Sequence, residues 1–137
     1  MTQELKDFFI QYNNDKPLRI LIVDDDKMSH IVVEKMLVIC GFLVEKSYDG
    51  LEALIKIRNR NVHYDFVLMD IHMPNMDGLT ATREIKSIRG METLPIFALT
   101  GDLSMQAKMQ VISAGMSDYF NKPLDIDRLL VTIKSYL

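Results

Sequence analysis

The apolar positions of this chain fall into five short runs, each broken by polar or turn residues and followed by a stretch with helical spacing. The runs are Leu18 to Val23, Phe42-Leu43-Val44, Phe66 to Met69, Pro95 to Leu99 and the shorter Tyr119-Phe120. Such runs, bounded by turn signals, predict buried strands. Their near-continuous apolar character predicts a parallel sheet covered on both faces.

The intervening stretches predict helices. Ser29 to Cys40 carries Ile31, Val32, Met36, Leu37 and Ile39 at helical spacing and is closed by Gly41. A turn at Asp49-Gly50 precedes a second helix with Leu51, Leu54, Ile55 and Ile57. Asp77 is placed to cap a third through Thr80, Ile85 and Ile88. Leu103 to Ala114, closed by Gly115, is the fourth. The fifth starts at Asp125 and carries Ile126, Leu129, Leu130, Ile133 and Leu137. Leu5, Phe8, Phe9 and Tyr12 predict a further short helix at the start.

Five alternations of strand and helix predict an α/β fold. With right-handed crossovers, the expected architecture is a flavodoxin-like doubly wound five-stranded parallel sheet. The expected strand order is 2-1-3-4-5, with five helices plus the short N-terminal one. Residues 1–16 read as an N-terminal helical extension, 17–137 as one domain. The extension either packs on that domain or mediates dimerisation or contact with an upstream domain.

Composition narrows the function. The 137 residues are near the usual size of one domain, and 48% are hydrophobic. A net charge of −3 argues against a nucleic-acid-binding surface. No apolar run approaches a membrane span, and the polar start, Met1 to Asp7, is no secretory signal. One cysteine, Cys40, allows no internal disulfide and reads as a packed core thiol. A cytoplasmic location fits these features.

The chemistry lies at the strand ends. In the expected fold, the first, third, fourth and fifth strands end on one edge, with Asp24-Asp25, Asp70, Thr100 and Lys122 at their tips. Each residue alone has a plainer reading: a cap, a strand end or a surface lysine. Asp26 reads as a cap or a solvated charge. Together they describe a site. Clustered carboxylates repel one another unless a cation joins them. Oxygen ligands without cysteine point to Mg²⁺ or Mn²⁺. Asp70 is then a candidate nucleophile toward phosphorus. Lys122 and the Thr100 hydroxyl are placed to meet the phosphoryl oxygens.

Val23-Asp24-Asp25, Met69-Asp70 with Met73-Pro74-Asn75-Met76-Asp77-Gly78, Leu99-Thr100 and Lys122-Pro123 resemble the receiver domain of response regulators in two-component phosphorelays. The likeness covers about residues 18 to 137 and is close to receivers of hybrid sensor kinases. It implies that Asp70 accepts a phosphoryl group from a phosphohistidine. It implies Mg²⁺ held directly by Asp25, through water by Asp24, and by the His72 backbone carbonyl. It further implies phosphate contacts from Thr100 and Lys122, a switch through Thr100 and Tyr119, and a cis Lys122-Pro123 bond. The implied partners are a histidine kinase or histidine phosphotransfer domain, with homodimerisation through the last two helices or the N-terminal helix as a further option. Such a domain is not a conventional enzyme, although it catalyses its own phosphorylation and dephosphorylation. Two side chains, His72 and Asp102, flank the expected route of attacking water and are expected to set phosphate lifetime. His30 is expected at the surface, either meeting the histidine donor or simply solvated.

Other classes fit less well. A haloacid-dehalogenase-type phosphatase needs a second Asp two residues after its nucleophile, where this chain has His72. A flavodoxin-like cofactor site needs a hydroxyl- and glycine-rich loop after the first strand, where Asp24-Asp25-Asp26 would repel phosphate. A receiver-like interaction module that is never phosphorylated would leave the filled motif positions without a role.

Overall fold

The computed structural model describes all residues, Met1–Leu137. The elements alternate as expected: α1 (Gln3–Tyr12), β1 (Arg19–Val23), α2 (Lys27–Ile39), β2 (Leu43–Ser47), α3 (Gly50–Arg58), β3 (Phe66–Asp70), α4 (Gly78–Lys86), β4 (Ile96–Thr100), α5 (Met105–Ser113), β5 (Asp118–Asn121) and α6 (Ile126–Lys134). The strands form one parallel sheet in the order β2-β1-β3-β4-β5.

Side chains on a strand alternate between faces, so each apolar run feeds two cores. Val67 and Met69 of β3 enter one cluster, with Ala53, Leu54 and Ile57 of α3, Ala81 and Ile85 of α4, and Val111 of α5. Phe66 and Leu68 enter the other, with Phe9 of α1, Val33 and Leu37 of α2, and Leu129, Leu130 and Ile133 of α6. This double covering is why β3 and β4 lack the polar alternation of a half-exposed strand.

Helix boundaries follow their caps. Asp26, Asp49, Asp77, Ser104 and Asp125 each accept a backbone N–H from the first turn of the helix that follows. The expected Asp49-Gly50 turn is thus a helix start, with Asp49 accepting from the Glu52 N–H at 2.8 Å. The helix expected from Leu103 begins at Met105, because Ser104 caps it. Gly41 and Gly115 follow their helices with φ of +89° and +98°, the left-handed geometry that ends a helix.

The inward face of α2 differs from the expected one. His30, Val33 and Leu37 point inward, whereas Ile31, Val32 and Ile39 are exposed. His30, expected at the surface, is 1% exposed. Its spacing of three and seven residues from Val33 and Leu37 places it on the buried stripe, and the apolar residues elsewhere on α2 mask that stripe.

Residues of α1 belong to the same core. Phe9 is fully buried and its ring lies 5.2 Å from that of Phe42. Asn13 donates to the Cys40 carbonyl at 2.9 Å and accepts from the Leu18 N–H at 2.8 Å, fixing the entry into β1. The Thr2 N–H donates to Asp127 at 3.0 Å, and the Lys134 ammonium lies 4.3 Å from the centre of the Phe8 ring. Cys40 is buried, and burial pushes its thiol pKa up against the nearby charge of Lys6.

Candidate functional site

The register of the central strands sets the site. Val23 pairs with Met69, Asp70 with Leu99, and Thr100 with Asn121. The tips of β1, β3, β4 and β5 therefore come level, and Asp24, Asp70, Thr100 and Lys122 leave the sheet together.

Asp24 and Asp70 are 1% and 5% exposed, and Asp25 is on the surface. One oxygen from each of these three carboxylates lies within 4.8 Å of the others. The Lys122 ammonium stands 3.1 Å from Asp70 Oδ2 and 3.5 Å from Asp24 Oδ2. The second distance is an ion-pair approach without a hydrogen bond, and Asp24 Oδ2 is a buried oxygen with no hydrogen-bond partner. Its fellow oxygen, Oδ1, accepts the Asp26 N–H at 2.9 Å.

Burial pushes the Asp70 carboxyl above its usual range, and the charge of Asp24 adds to the effect. The Lys122 ammonium and the His72 N–H oppose this without cancelling it. Burial alone would lower the Lys122 pKa. Its hydrogen bond to Asp70 and its attraction to Asp70 and Asp24 outweigh that and raise it. The ammonium is thus held charged, facing a carboxylate whose charge the fold disfavours.

Thr100 is 4% exposed and sits at the tip of β4, but its hydroxyl is occupied elsewhere. It accepts the Asp102 N–H at 3.0 Å and donates to the Asp102 carbonyl at 3.3 Å. Tyr119 is half-buried on β5, beside Ala98, with the Lys108 ammonium 5.2 Å from its ring centre. The Lys122-Pro123 bond is cis.

The loop after Asp70 is closely fitted. Gly78 donates to the Ile71 carbonyl at 2.8 Å, and a Cβ at Gly78 would fall inside the van der Waals shell of the Asp70 carbonyl oxygen. Asn75, at φ +65°, donates to Asp49 at 2.7 Å and ties the loop to the start of α3. This clasp was not expected from the sequence, where Asn75 and Asp49 read only as turn residues.

The donor set fits a hard divalent cation: three carboxylates gathered closely, a buried Asp24 oxygen with no hydrogen-bond partner, and no sulfur among them.

Residues 20–134 match the family model for the response regulator receiver domain. The chain belongs to this family of two-component signalling domains. It is 36% identical over 121 residues to the response regulator MprA of Mycobacterium sp. (strain KMS), covering 88% of this chain and 51% of that protein. The chain thus spans about half the length of that relative. Among solved structures it is similar to the chemotaxis response regulator CheY4 of Vibrio cholerae, at 28% identity and a TM-score of 0.81, covering 89% of this chain and all of the other. It is also similar to the receiver domain of the sensor histidine kinase PA1611 of Pseudomonas aeruginosa PAO1, at 32% identity and a TM-score of 0.80, covering 88% and 97%. That receiver has a magnesium ion coordinated in its active-site cleft. The domain is thus a phosphorelay module of a family whose general function is phosphorylation on an aspartate and binding of Mg²⁺. No helix is long and apolar enough to cross a membrane.

Proposed function

We propose that Asp70 is the phosphoacceptor of this receiver and that its phosphorylation depends on Mg²⁺. The carrying observation is the Lys122 ammonium, placed 3.1 Å from Asp70 in a cluster of three carboxylates. An Asp70 oxygen attacks the phosphorus of a phosphohistidine as the P–N bond to the imidazole breaks, the bonding pair stays on the imidazole, and a proton from water completes the neutral leaving group. Asp24, Asp25, Asp70 and the His72 carbonyl would hold Mg²⁺, with Mn²⁺ as a substitute. The bound ion supplies charge neutralisation for the phosphoryl oxygens. Lys122 neutralises the phosphoryl group from the side of β5. Thr100 gives up its bonds to Asp102 to hydrogen-bond a phosphoryl oxygen, and Tyr119 follows it. That exchange biases α5, β5 and α6 toward a second arrangement.

The partner class is a histidine kinase or histidine phosphotransfer domain, and the setting is cytoplasmic. The domain acts as a switch that catalyses its own phosphorylation and dephosphorylation, not as a conventional enzyme. Exposed Met109, Ile112 and Val131 on the last two helices, or Ile10 and Tyr12 on α1, offer surfaces for a homodimer.

Incubation with acetyl phosphate or a phosphohistidine donor, with and without Mg²⁺, tests the assignment. The wild type is expected to label only with Mg²⁺, and Asp70→Asn not at all; label that persists in the variant would overturn it. The side chains of His72, two positions after Asp70, and Asp102, two after Thr100, are both exposed. His72→Ala and Asp102→Ala are expected to change autodephosphorylation several-fold, and unchanged rates would remove them from that role.

A further inference from the structure

His30 is a buried polar side chain without a part in the chemistry above. It lies on α2, one turn beyond the Asp26 cap. Helical side chains lean toward the amino terminus, so the ring reaches back over the turn that carries the acidic pair. Nε2 hydrogen-bonds the Asp24 backbone carbonyl, while Nδ1 is buried with no partner. A carbonyl only accepts, so Nε2 is the nitrogen that donates. Tyr48 packs against the ring, with centroids 4.8 Å apart. The ring is therefore locked by packing as well as by its bond.

The carbonyl it holds matters more than most. The Asp24 C=O and the Asp25 N lie in one rigid peptide plane. Fixing that oxygen fixes the direction in which Asp25 leaves the strand. The other hydrogen bonds of Asp24 are its N–H to the Ser47 carbonyl at 3.1 Å and the Asp26 N–H to its Oδ1 at 2.9 Å, beside the Lys122 ammonium 3.5 Å from its Oδ2. The second of these bonds closes a turn across the peptide that leads to Asp25, and the imidazole holds the carbonyl of that same peptide; Asp25 and Asp26 are themselves exposed. Without the imidazole, the carbonyl would lose its partner, and the turn would rotate to recover a hydrogen bond from water.

We infer that His30 is a positioning residue that sets the aim of the Asp24-Asp25 carboxylates and thereby the affinity of the site for Mg²⁺. The inference rests on the reading that these carboxylates hold the ion. It does not depend on the His30 ring gaining or losing charge.

The test is Mg²⁺ titration of the full chain by calorimetry, beside phosphorylation by acetyl phosphate over a range of Mg²⁺ concentrations. His30→Phe keeps the ring and removes the donor. His30→Gln places an amide N–H at the Nε2 position, and His30→Asn places one at Nδ1. Loss of an outer support of this kind weakens metal binding about tenfold or more, so His30→Phe and His30→Asn are expected to do so and His30→Gln to stay within about twofold of wild type. The half-saturating Mg²⁺ concentration for phosphorylation should rise in parallel, with the maximal rate kept. A purely structural role would lower Tm without moving that half-saturation point. Equal affinities for wild type, His30→Gln and His30→Asn overturn the inference, and that comparison decides even when His30→Phe fails to fold. A wild type that binds no Mg²⁺ overturns the metal reading itself, and this inference with it. Long-range ¹H–¹⁵N spectra of the wild type should show the Nε2–H tautomer; the Nδ1–H form would also overturn the assignment.

Discussion

Toward the start of β1 and β3 and on the neighbouring edge strand β2, the carboxylates are met by groups of the same chain. Arg19 donates to Glu45 Oε2 at 2.7 Å, and the Tyr64 hydroxyl donates to Glu45 Oε1 at 3.0 Å. The Arg19 N–H donates to Asp65 Oδ2 at 2.8 Å, with His63 3.3 Å from Asp65 Oδ1. All four carboxylate oxygens have a partner. At the carboxyl-terminal ends, three carboxylates share one nearby ammonium, and a buried oxygen has none. One cluster is closed and complete. The other is short of positive charge, which on the proposed function a bound cation would supply. The same sheet therefore carries one polar network satisfied from within the chain and one that is not, and the proposed function assigns the reactivity to the second.

The largest way to break this contrast is to remove the ammonium. Lys122→Met should slow Asp70 phosphorylation by about 10²-fold or more, the usual scale for losing a preorganised charge partner. Arg19→Met, at the far end, should leave that rate unchanged. Acetyl phosphate kinetics on both variants check the pair of outcomes, and similar losses in the two would erase the distinction.

Stability sharpens it next. The fold disfavours the charge on Asp70, so removing that charge should help a metal-free protein. In EDTA, Asp70→Asn should raise Tm by a few degrees, the shift that ~1 kcal/mol brings in a domain of this size. Mg²⁺ should stabilise the wild type more than the variant and narrow the gap. Calorimetry with and without Mg²⁺ reads both effects; a variant less stable than wild type in EDTA contradicts the charge deficit.

The closed cluster is tested at high pH, where it leaves Asp70 phosphorylation out of account. Burial, with the hydrogen bond to Glu45 and its charge, pushes the Tyr64 hydroxyl up to about 12. The unfolded chain ionises this phenol from about pH 10. Its contribution is therefore intact below about pH 10 and lost as pH rises toward 12, by at most ~2–3 kcal/mol. Tyr64→Phe should cost ~1 kcal/mol at neutral pH and flatten the alkaline slope. Urea unfolding at pH 8 and pH 11 separates the two; an equal slope in the variant would show that Tyr64 is not its source.

Much of this was legible in the chain because the central strands are buried on both faces. Phe66 to Asp70 and Ile96 to Thr100 had to be apolar to their tips, so each polar residue at a tip stood out. β2 was harder to bound: it is an edge strand that runs through Glu45 and Lys46, and Leu43 on it is exposed. The burial of His30 was hidden for a related reason. With Ile31, Val32, Val38 and Ile39 spread over the rest of α2, the spacing did not single out the inner stripe. The Asn75-Asp49 clasp joins residues 26 apart in sequence, each an ordinary turn former. The hold of Thr100 on the Asp102 backbone depends on a side-chain rotamer that no pattern of residue types encodes.

The packing of Gly78 against the Asp70 carbonyl has a consequence for the sequence space open to this domain. Every other L-amino acid carries the Cβ that this carbonyl excludes, so position 78 has a single solution. Gly101 has no atom within 4 Å of where a Cβ would stand and, on steric grounds, is open to many. Two glycines beside one site thus confer opposite freedoms. A lineage of such domains could drift widely in the loop after Thr100, while the turn after Asp70 would be handed down unaltered.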